Sequence, residues 1–131
     1  MSDTKNVPLR AGDITLVLAA LRATQLLFTD SPDIRSICEW KLLDEDEIEA
    51  LCEKINIRPE SGFDLDATER GTLYFALMMW GQWSEGHRFK QQVAPILEDG
   101  SESDTSKQAA IELRFRLKDT ITPAERADLV A

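Results

Sequence analysis

Histidine and cysteine are scarce in this chain, at one and two residues, and that scarcity removes most familiar chemistries first. Cys38 and Cys52 make no disulfide framework. They stand fourteen residues apart with no CxxC or HxxxH nearby, so they form no structural zinc pattern. Each falls where a helical apolar face would put it, and free cysteine behaves as a small buried hydrophobe. His87 follows Gly86 at an expected helix boundary and sits beside Arg88. A surface or capping role suits it better than acid–base catalysis, which needs a cleft and an orienting partner. The chain has no serine nucleophile elbow, phosphate loop or dinucleotide glycine fingerprint. Asp44, Asp46 and Glu49 lack the glycine and the oxygen-rich loop of a calcium hand. The Glu-x-x-His pairs of a di-metal carboxylate bundle do not occur. The reading is therefore of no catalytic residue, no metal and no cofactor.

Uncharged apolar runs are also short, and none approaches the roughly 18 residues of a membrane span. Acidic residues precede the first apolar segment, where a secretory signal wants positive charge. A cytoplasmic protein without membrane contact is expected. Basic charge is in deficit too: 24 acidic residues face 15 basic ones, a net charge of −9. Nucleic-acid binding is not expected, because it needs lysine and arginine to displace phosphate counterions.

The charge that is present is concentrated. Residues 39–69 hold eleven acidic residues against Lys41, Lys54 and Arg58, a balance of −8, while the flanking segments are close to neutral. The 131 residues suit one domain that can bury a core without metal or disulfide support.

The apolar spacing predicts an all-α bundle of about five to seven helices, with no significant sheet. Residues 1–6 read as a frayed lead-in. The first helix covers 14–28 after an Asp13 cap. Its apolar residues exceed one stripe, leaving Thr15, Arg22 and Thr29 as a narrow wet edge. Ser31 and Pro32 open a second helix that carries Ile34, Ile37 and Cys38 inward and ends near Leu43. Asp44 with Glu47 has capping-box spacing. Ile48, Leu51, Cys52 and Ile55 then follow i, i+3, i+4, i+7. Residues 58–65, with Pro59 and Gly62, read as a loop.

Asp66 with Glu69 caps a fourth helix that holds the uncharged run 73–80 and stops at Gly86. A buried strand is the alternative for that run, but Ala, Leu and Met favour helix. A shorter helix over 87–97 is interrupted by Pro95. Residues 99–106 read as a flexible loop. Ile111, Leu113, Phe115 and Leu117 alternate with charged residues as a strand would. With no partner strand evident and a favourable Glu112–Arg116 pair, helix is preferred. Thr122, Pro123 and Glu125 open the last helix, which runs to about Val130.

Two surfaces are candidates for function. Tyr74, Phe75, Met78, Met79, Trp80 and Trp83 have the composition of an interface hot spot, weighed against a plain core role. Glu45, Asp46, Glu49 and Glu53 form an acidic face that is either solvation or a dock for a basic protein. The expected function is a non-enzymatic interaction protein (an adaptor, assembly factor or chaperone-like subunit) that binds a protein partner, possibly itself as a homodimer. The alternative is an inhibitor or immunity-type protein that covers a basic partner such as a nuclease. An enzyme without a recognisable motif is the third class.

Overall fold

The computed structural model describes residues 5–7, 9, 11–31, 33–34, 41–56, 63–82, 88–93 and 104–130. Within them the protein is all-α, with six helices and one small antiparallel strand pair. In chain order the elements are β1 (Lys5–Val7), α1 (Ala11–Asp30), α2 (Glu45–Asn56), β2 (Phe63–Leu65), α3 (Ala67–Gln82), α4 (Arg88–Val93), α5 (Asp104–Thr120) and α6 (Pro123–Val130).

α1 is nearly enclosed, as its excess of apolar residues predicts. Val17, Leu21, Ala23 and Phe28 lose all contact with water. It packs against α2, α3 and α4. α3 lies between α1 and α5, which accounts for a helix apolar on more than one side. Its Leu73, Ala76, Leu77 and Trp80 are buried at i, i+3, i+4, i+7 spacing. From α5 come Ala110, Leu113 and Leu117. The residues 111–117 are thus helix, and their alternation is incidental to a face that repeats every three or four residues.

All three capping boxes form. Asp44 Oδ1 accepts from Glu47 N at 2.8 Å while Glu47 Oε1 accepts from Asp44 N at 3.1 Å. Asp66 and Glu69 do the same at 2.8 and 2.9 Å. Thr122 and Glu125 close theirs at 3.1 and 3.0 Å. Each box satisfies two backbone donors that a helix start leaves without partners.

Four sequence expectations need correction. Lys5 and Asn6 are not frayed: β1 pairs with β2 in the register Lys5↔Leu65, Asn6↔Asp64, Val7↔Phe63. For the same reason 63–65 is strand and not loop. Val7, Phe63 and Leu65 are buried on one side of the pair, a period too short to read in three residues. Residues 41–44 are not helical, so the second helix does not reach Leu43. Leu43 is nevertheless buried, and its amide donates to Thr72 Oγ1 of α3 at 3.1 Å. Residues 104–106 belong to α5, so the expected 99–106 loop is shorter at its end. Gly86, Pro95 and residues 35–40 lie outside the described residues.

Polar ties lock the helices together. Lys54 Nζ of α2 donates to Asp64 O at 2.6 Å and lies 3.3 Å from Glu69 Oε2. Arg70 of α3 is fully buried. Its Nε donates to Leu65 O at 3.2 Å, its Nη1 to Thr120 O at 2.7 Å, and its two terminal nitrogens bond both carboxylate oxygens of Glu125.

Candidate interaction surface

The apolar run 73–80 divides between core and surface. Trp80 is fully buried and belongs to the core, which corrects its place in the expected patch. The cause is helical spacing: Trp80 continues the buried row of Leu73, Ala76 and Leu77. Tyr74, Phe75, Met78 and Met79 lie on the other side of α3 and are half-buried. Phe75 stacks on Phe28 of α1 with ring centroids 6.0 Å apart, and Phe75 and Met79 pack against the core. Trp83 and His87 lie outside the described residues.

Tyr74 opens a different neighbourhood. The Arg114 guanidinium of α5 stands 5.9 Å from its ring centroid and 5.2 Å from that of Phe115. Arg114 therefore joins two aromatic faces by cation–π attraction. Phe115 is 52% exposed in mid-helix, on the side of α5 opposite Leu113 and Leu117. The Arg114 Nε is shut off from water and has no hydrogen-bond acceptor among the described residues. Phe115 and Arg114 were not picked out from the sequence as surface residues. The signal was available, because a helix that buries Leu113 and Leu117 must turn Phe115 outward.

The acidic face is only partly free. Asp46 and Glu53 are exposed, while Glu45 and Glu49 are half-buried. Glu49 is ion-paired with Arg22 of α1, whose Nη1 also donates to Gln25 Oε1 at 3.0 Å. Gln25 Nε2 in turn donates to Glu45 O at 2.9 Å. Arg22, from the wet edge of α1, thus reaches α2, and Glu49 helps join the two helices.

Beside this contact a cavity of about 210 Å³ is lined by Leu18, Arg22, Cys52, Glu53 and Asn56. Cys52 is 1% exposed and free. Burial pushes its thiol above the ordinary cysteine range, the nearby Arg22 charge opposes that, and Glu53 adds to it. A raised thiol pKa stabilises the fold fully below the unfolded value of about 8.5, and that contribution is lost as pH rises through the folded value. Cys52→Ala is therefore expected to flatten the decline of stability above that pH. Urea midpoints across an alkaline series check this, and an unchanged slope in the variant would refute it.

Among the described residues, no group of three or more His, Cys, Asp or Glu is placed to hold a metal ion. No helix among them is long and apolar enough to cross a membrane. Comparison with protein-family models, curated proteins and solved structures finds no match to this chain.

Proposed function

We propose that this is a small acidic, non-enzymatic interaction protein that works in the cytoplasm and binds a protein partner, a second copy of itself included, through the α3–α5 face. The observation that carries the reading is Phe115, half-exposed on the outer side of a helix whose inner side is buried. Around it stand Arg114 and Tyr74, with half-buried Met78 four residues beyond Tyr74. Aromatic residues, arginine and methionine are the types enriched at interface centres. The free thiol of Cys52 suits a reducing compartment. The acidic balance disfavours nucleic acid as the partner.

Phe115→Glu tests the reading. The substitution is at a surface position, so stability should move by no more than about 0.5 kcal/mol. Sedimentation over a concentration series and co-purification from the native host should both register the variant. A hot-spot loss of about 2 kcal/mol corresponds to roughly 30-fold weaker association. Association equal to that of the unaltered protein would sink the proposal.

The inhibitor or immunity-type reading, in which a basic partner such as a nuclease is covered, is favoured by a separate observation. Asp46, Glu47 and Glu53 all project from α2 into water. Binding through them should fade on the order of 0.5 M salt, where screening acts within a few Å. Binding through Phe115 should persist there.

A further inference from the structure

The cavity between α1 and α2 has a direction. Arg22 meets Glu49 and Gln25 meets Glu45 O, so the two helices run antiparallel at this contact. Of the residues that line the cavity, Leu18 and Arg22 are one turn apart on α1, and Cys52 and Asn56 are one turn apart on α2. Arg22 therefore stands towards one end and Asn56 towards the other, with Leu18 and Cys52 between them. Leu18 packs against the core and Cys52 is buried, which gives the cavity an apolar floor. Glu53 and Asn56 are exposed and share a side of α2, three residues apart. The cavity holds about 210 Å³, and one of about 150 Å³ admits benzene. Its length is roughly one helical turn, about 5 Å, which a chain of about four carbons spans.

The two ends differ in charge. At the first, the Arg22 guanidinium is matched by Glu49. At the second, Glu53 lies in the last turn of α2, where the aligned peptide dipoles put a partial negative charge. Lys54, in the same turn, is drawn to Asp64 O and Glu69. The surrounding segment 39–69 has eleven acidic residues against three basic ones, so the wider field adds to the attraction for a cation. The geometry points to a binding site for a small organic cation, a primary ammonium on a short alkyl chain, in the α1–α2 cavity. The ammonium meets Glu53 and the Asn56 side-chain carbonyl, and the chain lies over Leu18 and Cys52 towards the Arg22 end. This site is separate from the Phe115 surface and does not depend on it.

Amide NMR spectra of the full-length protein, titrated with butylammonium chloride, test the site. Resonances of Leu18, Arg22, Glu53 and Asn56 should shift to saturation, with the half-point on the order of 1–10 mM for so small a ligand. Sodium butyrate and n-butanol carry the same chain without the positive charge. They should leave these resonances where sodium chloride of equal ionic strength leaves them. Asn56→Lys puts a tethered ammonium at the charged end, and a basic residue suits a helix C-terminus. The variant should keep its fold, read from the unmoved core resonances, and bind butylammonium at least about tenfold more weakly. Glu53→Gln should weaken binding by roughly two- to fivefold, the effect of an exposed charge pair. The assignment fails if no saturable shift appears, if butyrate or butanol moves the same resonances, or if Asn56→Lys binds as the unaltered protein does.

Discussion

Arg70→Met is expected to lower the unfolding free energy by about 3–5 kcal/mol, the loss typical of breaking a buried ion pair from one side. Arg70 is fully buried and supplies donors to Leu65 O, Thr120 O and Glu125. Methionine fills much of the volume and supplies no donor. Leu65 O and Thr120 O then each lose the bond that Arg70 gives them. Glu125→Gln should cost less, since glutamine keeps an acceptor for Thr122 N and leaves the bonds of Arg70 to Leu65 O and Thr120 O in place. The double variant Arg70→Met, Glu125→Met should be more stable than the sum of the single losses implies, because no buried charge remains. Urea midpoints at constant slope measure all three. Additive single losses would mean that the pair is not coupled.

Trp80→Ala is expected to cost about 3–5 kcal/mol, the range for removing a buried aromatic side chain. Trp80 heads the set of large side chains with essentially no exposure, in the row that α3 turns to the interior. The loss combines transfer of the indole with a cavity that α1 and α5 can only partly close. Trp80→Phe should cost less because part of the volume remains. Partner affinity, measured on the folded fraction, should stay at the level of the unaltered protein. A stable Trp80→Ala variant with weakened binding would reverse the assignment and return Trp80 to the surface patch.

Features set by a single turn of chain were readable before any coordinates. The boxes at Asp44, Asp66 and Thr122 each formed, because a capping residue and a glutamate three positions on need only their own helix. The enclosure of α1 was equally readable, since its apolar residues outnumber what one face can hold. Features that depend on distant partners were not. β1 and β2 are three residues each and lie far apart in the chain, so neither carries a strand pattern of its own. Glu49 looks like any outward glutamate until α1 brings Arg22 to it. Arg70 gives no sign in the sequence that it is buried, because its acceptors come from β2, α5 and α6. The proposed surface was half legible. Tyr74 and Met78 were picked out from the apolar run, whereas Phe115 was hidden in an alternation that also fits a strand.

The pairing of β1 with β2 sets an order of events in folding. Val7 faces Phe63, so the pair closes a loop that contains the whole of α1 and α2. Closing a flexible loop of that length costs roughly 3–4 kcal/mol in chain entropy, before any constant term. Three residue pairs cannot offset that cost while the intervening chain is loose. Once α1 and α2 have packed against each other, the effective loop is far shorter and the ends lie near one another. Local helical contacts therefore come early and the strands join late. The sheet is a product of helix packing and cannot nucleate it.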